Sequence, residues 1–330
     1  MNSQNRSNPI DLSRRRMFIT GGTGIVGRSL LDYIQEGLIL YGGAPQVTIL
    51  SRSPERFYRY FPNYIGLPWL NVIQGDLFHL PIVASSFYTD IIHAAADTHL
   101  QGDPMAWITQ LVEGTTNVLR FASKSNVERM LFISSGAVYG SQPTALQSLS
   151  EDHYFAPLTT DVHSTYSHGK RMAEHICALH SAHPNGPFCV IARCFSIVSQ
   201  HIPLNGPYAL GNFMRDAIAG RGIHISGDGK TIRSYIEGRD LAHWIFTLLC
   251  HGARGEAYNV GSDLPITTLE LATIIRDVVN IDQPIKILAL PDCDPRKVYL
   301  PNVDKASTLG LSIETSLRDA LTDIERILRS

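Results

Sequence analysis

Short, predominantly apolar runs in this chain are separated by stretches whose apolar residues recur every three or four positions. The first run, Met17-Phe18-Ile19-Thr20, leads into a glycine-rich turn, and residues 25–38 then have helical spacing with Gly37 near the end. The pattern predicts further strands at Val47-Thr48-Ile49-Leu50, Val72-Ile73, 90–96, Met130-Leu131-Phe132-Ile133-Ser134 and Cys189-Val190-Ile191-Ala192-Arg193. Helical stretches fall near 107–123 and 166–183. Strands that are continuously apolar are buried on both faces, and their alternation with helices indicates a parallel sheet covered on each side. The fold class expected is α/β, a doubly wound parallel sheet of the Rossmann type.

After about Phe195 the character changes. Residues 199–211 are rich in Pro and Gly, and 220–229 add turn signals. Residues 240–249 predict an apolar helix, Ala257-Tyr258-Asn259-Val260 a strand, and 313–328 a final helix. The expected division is a main domain over 1–195, to which 240–262 returns, and a smaller mixed C-terminal lobe from the rest of 196–330.

Composition narrows the possibilities. At 330 residues the chain can bury a sizeable core, and its net charge of −2 offers no general attraction to nucleic acid or an anionic membrane. The run Arg14-Arg15-Arg16 is expected to be solvated ahead of a buried strand. Five cysteines form no C-x-x-C pair, and the histidines show no ligand spacing, so neither a disulfide framework nor a metal site is expected. The first residues are polar, and no apolar run reaches the roughly 20 residues needed to span a bilayer. A cytoplasmic location is the expectation.

The candidate chemistry begins at Thr20-Gly21-Gly22-Thr23-Gly24-Ile25-Val26-Gly27. Gly21 and Gly22 permit a tight turn, Gly24 lets the backbone approach a pyrophosphate, and Gly27 lets the helix pack on the strand. The helix N-terminus adds N–H donors and a positive dipole end. After the second strand stands Ser51-Arg52-Ser53, with no carboxylate to bind a ribose 2′-hydroxyl. Arg52 can pair with a 2′-phosphate, which favours NADP(H) over NAD(H), although a plain surface arginine is the alternative. Asp76, beside Leu77, is placed to accept an adenine amino group or to cap a helix.

Tyr166 and Lys170 are one helical turn apart, and Ser135 follows a hydrophobic strand. A free tyrosine titrates near pKa ~10. A lysine cation on the same helix face, together with an oxidised nicotinamide, favours its phenolate, and Ser135 can orient the substrate oxygen. These residues fit hydride transfer between a nicotinamide and a carbinol carbon.

The same motifs carry a resemblance. The chain resembles extended short-chain dehydrogenases/reductases of the NAD-dependent epimerase/dehydratase family, most of which modify nucleotide sugars. The matching segments are 20–27, Gly75-Asp76-Leu77, His93-Ala94-Ala95, Ser134-Ser135-Gly136-Ala137-Val138-Tyr139-Gly140 and 166–170. They continue with Arg233-Ser234-Tyr235-Ile236, Asp240-Leu241-Ala242 and Tyr258-Asn259-Val260-Gly261. The resemblance implies Ser135, Tyr166 and Lys170 as catalytic residues. It also implies a nucleotide-diphosphate sugar as the small-molecule partner, a second lobe that binds the nucleotide, and a homodimer through the 107–123 and 166–183 helices.

Family members that eliminate water carry an Asp-Glu pair after the serine, and the decarboxylases tend to carry Glu at the second place. Here those positions are Gly136 and Ala137, which move no protons. A keto-sugar reductase is therefore favoured, with a C4 epimerase as the alternative. A non-catalytic dinucleotide sensor, or an oxidoreductase of another alcohol, are the readings from other classes. Substrate candidates are Ser196, Asn212, Arg233 and Arg296, with Ser135. Arg233 could instead partner Glu237 or Asp240. The family pattern departs at Arg193-Cys194-Phe195-Ser196 and at Gln110-Leu111, where asparagines are usual. His93, Asp97 and His99 are candidates for substrate contact or for plain loop or core roles.

Overall fold

The apolar run at Met17 becomes β1 (Arg16–Thr20), and every residue of it after Arg16 is buried. The chain enters α1 (Ile25–Tyr41) and continues through β2 (Gln46–Ser51), α2 (Pro54–Tyr60), β3 (Leu70–Gln74) and β4 (Asp90–His93). There follow α3 (Pro104–Lys124), β5 (Arg129–Ser135), α4 (Thr165–Ala182) and β6 (Phe188–Cys194). These strands and the Ala257–Val260 strand form one seven-stranded sheet, ordered Ala257–Val260, β6, β5, β4, β1, β2, β3. Every pairing in it is parallel. This computed structural model describes residues 10–41, 43–81, 87–96, 103–289 and 297–329.

Each face of the sheet has its own apolar layer. On one, Leu30, Leu31 and Ile34 of α1 meet Leu241, Ile245 and Leu248 of α6 (Gly238–His251). On the other, Val118 and Ala122 of α3 meet Ala173 and Cys177 of α4. All these positions follow the three-to-four spacing that puts side chains on one helix face. The two helices come close where Gly169 faces Leu111: a Cβ on Gly169 would lie 2.6 Å from a Leu111 methyl.

A third core joins α5 (Ala209–Ile218), α7 (Thr268–Val279) and the C-terminal helix Leu317–Arg329. Beside it a small sheet orders Ile266–Thr267, Ile232–Arg233 and Val298–Tyr299. Tyr299 is in register with Arg233 there.

Three expectations are corrected. The fourth strand stops at His93, because Ala94 N–H turns to the Thr20 carbonyl (3.0 Å) and Ala95 N–H to Thr20 Oγ1 (3.3 Å). The last helix starts at Leu317 and not at 313, because the N–H groups of Glu314 and Thr315 are taken by Asp240 Oδ2 at 3.0 and 2.9 Å. Arg15 is not merely solvated, since its guanidinium pairs at 2.7 Å with the fully buried Asp90.

Candidate functional site

The chain leaves β1 toward one face of the sheet and β4 toward the other, and a crevice opens at the carboxyl ends where the two diverge. Gly21 sits there with φ of 73°, and a Cβ on it would lie 2.6 Å from the Ala94 and Ala95 backbone. A Cβ on Gly27 would come within 2.4 Å of Gly22. Gly22 has a different reason from the turn expected of it: its missing side chain makes room for Ile49. At Gly24 a Cβ would meet nothing closer than the Gly21 carbonyl at 3.4 Å, so this backbone faces the open crevice.

The crevice widens into a cleft of about 2170 Å³. That is about twice the upper end of ordinary small-ligand pockets, roughly 1,000 Å³. Thr23, Ile25, Val26, Ser51, Arg52, Asp76, Leu77, Ala94 and Ala95 line it with Gly21 and Gly24. Gly27 packs behind the loop and is not part of the lining. The lining holds four cationic side chains (Arg28, Arg52, Lys170, Arg233) against two carboxylates (Asp76, Asp161), a balance suited to phosphates.

Around the second strand's end each polar group has a defined task. Ser51 Oγ accepts from Ser53 N–H at 3.2 Å, and Ser53 Oγ caps α2 by accepting from Arg56 N–H. Arg52 is exposed on the cleft wall and makes no hydrogen bond or ion pair among the described residues. Asp76 caps no helix; its Oδ1 takes the N–H groups of Phe78 and His79, each at 2.8 Å. Burial works against ionisation there, but these bonds outweigh it and hold the carboxyl below its usual range.

Ser135 closes β5 and accepts from Ala137 N–H at 3.1 Å, starting the short 3-10 turn Gly136–Tyr139. Its hydroxyl also neighbours the Tyr166 phenol and favours the phenolate. Tyr166 packs on the Trp107 ring, with centroids 5.5 Å apart. Lys170 is buried, with Nζ donating to the Ile133 carbonyl at 2.6 Å and lying 5.9 Å from the Tyr166 ring centre. Burial lowers its pKa to about 8. Burial first, and the neighbouring Tyr299 second, push the Tyr166 phenol upward, while the Ser135 hydroxyl works the other way. The protein by itself therefore holds Tyr166 as a neutral phenol. Lys170 alone does not supply the pull toward phenolate.

Of the substrate candidates, Ser135, Ser196, Asn212 and Arg233 line the cleft. Asn212 Nδ2 donates to the Gly206 carbonyl at 2.9 Å, and Arg233 Nη1 to the Ile232 carbonyl at 2.7 Å. Glu237 caps α6 and Asp240 holds Glu314 and Thr315, so both carboxylates weighed as Arg233 partners carry other tasks. Arg296, Asp97, His99 and Cys293 lie outside the described residues. His93 is buried and bridges Thr20 Oγ1 (2.7 Å) and Thr115 Oγ1 (3.1 Å), which makes it a core residue. Leu111 is buried against Gly169, whereas its neighbour Gln110 reaches the cleft.

Several lining residues were not foreseen. Arg28 lies in the first turn of α1, its guanidinium 4.1 Å from the Phe61 ring centre. Trp107, Tyr208 and Tyr299 also line the cleft. Only Arg28, directly after the glycine loop, carried a local signal. Among the described residues no cluster of His, Cys, Asp or Glu is arranged to hold a metal ion, and no helix is long and apolar enough to cross a membrane. The four described cysteines are free.

Comparison with known proteins agrees with this geometry. Over 331 residues the chain is 25% identical to UDP-glucuronic acid decarboxylase 6 of Arabidopsis thaliana, spanning 100% of this chain and 93% of that protein. It superposes with a TM-score of 0.83 on a UDP-N-acetylglucosamine 4-epimerase from Methanobrevibacter ruminantium M1, solved in complex with UDP-N-acetylmuramic acid. Identity there is 22%, over 96% of this chain and 100% of that one. For the dTDP-glucose 4,6-dehydratase DesIV from Streptomyces venezuelae, solved with NAD bound, the TM-score is 0.80 at 22% identity, over 95% and 97% of the two chains. The sequence model of the NAD-dependent epimerase/dehydratase family matches residues 17–261, so the chain belongs to that family.

Proposed function

We propose that this protein is an NADP(H)-dependent enzyme that reduces a keto group on a nucleotide-diphosphate sugar. The observation that carries the reading is one cleft in which the Ser135–Tyr166 pair and Lys170 stand opposite the glycine loop, with no carboxylate at 136 or 137. The loop fits a dinucleotide, because Gly24 leaves its backbone open to the cleft at the start of α1. Bound there, the dinucleotide supplies the hydride.

The chain's own residues do the rest. Ser135 hydrogen-bonds the substrate oxygen, and Tyr166, held as a neutral phenol, donates the proton a ketone needs on reduction. Lys170 would hold the nicotinamide ribose. Arg52 and Ser51 would hold a 2′-phosphate, and Ser196, Asn212 and Arg233 the sugar nucleotide's diphosphate. On this reading residues 1–195 with 240–262 bind the cofactor, and most of 196–330 binds the sugar nucleotide. Exposed Met105, Met172 and Leu179 on α3 and α4 support a homodimer through those helices.

A second reading is C4 epimerisation with tightly held NAD. It uses the same three residues and needs no further acid or base, and one structural relative is a 4-epimerase. Retention of both Tyr166 and Lys170 argues against a non-catalytic sensor.

The test is incubation with nucleotide sugars and their 4-keto derivatives while NADPH absorbance is followed. Oxidation of NADPH by a keto sugar supports the reductase. Inversion of the sugar without net consumption of cofactor supports the epimerase, and no change with any of them overturns both.

A further inference from the structure

Glu174 belongs to none of the roles assigned above. It lies four residues beyond Lys170 and eight beyond Tyr166, on the same face of α4, and it is buried. Positions i and i+4 are neighbours on a helix surface. Its Oε1 accepts from Ser134 Oγ at 2.5 Å, and Arg193 on β6 grips the carboxylate through Nε (3.0 Å to Oε1) and Nη2 (2.8 Å to Oε2). Arg193 is fixed in turn by the Tyr139 hydroxyl at 2.9 Å, which donates to Asn259 Oδ1 at 2.9 Å. A carboxylate this firmly placed beside a buried lysine has an electrostatic consequence.

We infer that Glu174 is a positioning residue whose negative charge keeps Lys170 protonated at neutral pH. The inference rests on the role proposed for Lys170 above. The groups that face Lys170 are Tyr166, Glu174 and Cys177 on α4, His93 on β4 and Cys194 on β6, with Arg193 on β6 held against Glu174. Cys194 is held up to about 12 by burial, so it is an uncharged thiol near neutrality, and Cys177 is pushed upward by the neighbouring Cys189 thiol and then by burial. His93 is neutral, held down to about 3 by burial. Glu174 is thus the one anion in the set. Even with it, burial brings Lys170 down to about 8, and removing the anion would also leave the Arg193 cation without its partner.

Urea denaturation of the whole chain from pH 6 to 10, with and without Lys170→Met, tests this directly. A buried lysine with a lowered pKa makes stability rise with pH from its folded pKa toward the unfolded value of about 10.4. The Lys170-dependent rise is expected to begin near pH 8 in the wild type. It should begin at least about one pH unit lower in Glu174→Gln. If that variant does not fold, the neutralised pair Glu174→Gln/Arg193→Met is measured instead, with a smaller shift in the same direction expected. A drop in stability with an unmoved onset overturns the inference and leaves Glu174 a structural residue. The alkaline limb of turnover, read on the same variants, checks the functional reading separately. A moved denaturation onset with an unmoved turnover limb supports the Glu174–Lys170 coupling and counts against the role proposed for Lys170.

Discussion

The Tyr299 hydroxyl lies 2.6 Å from the point where a side chain on Gly136 would begin. Phe195, which packs on Tyr299 with centroids 4.5 Å apart, closes the same space with a ring carbon also 2.6 Å away. The position next to Ser135 is therefore filled from a distant strand and leaves no room for a proton-moving group. Gly136→Ala is expected to overpack this corner and destabilise the fold by about 1–3 kcal/mol. Gly136→Asp should abolish turnover without conferring sugar dehydration. Product analysis by NMR and a urea melt check both. Dehydrated product from Gly136→Asp would show that the corner yields more readily than its packing implies.

Tyr166→Phe removes one hydroxyl and keeps the ring against Trp107. General acid catalysis by a positioned side chain contributes roughly 10²–10⁴-fold, so turnover should fall by about that factor. Cofactor affinity should stay within about threefold, because the phenol faces Ser135 and makes no part of the glycine loop. Stopped-flow turnover and fluorescence titration of NADPH separate the two effects. Activity near that of the wild type would remove Tyr166 from the chemistry.

The main sheet was legible because a strand buried on both faces has to be apolar throughout, as Met17 to Ile19 and Met130 to Ile133 are. That the glycine loop, Tyr166 and Lys170 would share one cleft was legible because the chemistry proposed for them needs fixed local spacing. What could not be read depends on partners far along the chain. Asp240 halts the last helix from 74 and 75 residues away, at Glu314 and Thr315. Tyr299 reaches the site only because its strand lies beside Ile232–Arg233. Gly22 looks like a turn residue until Ile49 is seen against it.

His93 gives the fold an acid dependence of definite sign. Burial holds its pKa down to about 3 in the folded chain, with the Lys170 cation acting in the same direction. The unfolded chain takes up the proton near pH ~6.5. The folded state is therefore favoured above that pH, and the advantage is lost as pH falls from ~6.5 toward the folded value. Between pH 7 and 4.5 the loss should be about 2–3 kcal/mol, at ~1.4 kcal/mol per unit. His93→Gln carries no titrating group and should show a flatter profile over that interval in urea melts. Parallel slopes for the two proteins would count against a neutral buried His93.

Arg52 decides the cofactor argument. Its guanidinium lies exposed on the cleft wall, just beyond β2, with no hydrogen bond or ion pair among the described residues. Ser51 and Ser53 beside it already hold each other and the start of α2, so neither substitutes for its charge. A charge-assisted contact to a phosphate contributes about 1.5–3 kcal/mol, which is roughly 10- to 100-fold in affinity. Arg52→Ala should therefore weaken NADPH by about that factor and leave NADH within about twofold, since NADH has no 2′-phosphate for the arginine to grip. Fluorescence titrations of both dinucleotides at two salt concentrations check this. The NADPH loss should shrink at high salt, where screening weakens the exposed contact in the wild type as well. Equal losses for the two cofactors would mean that Arg52 only shapes the loop, and the NAD-dependent epimerase would then become the better reading.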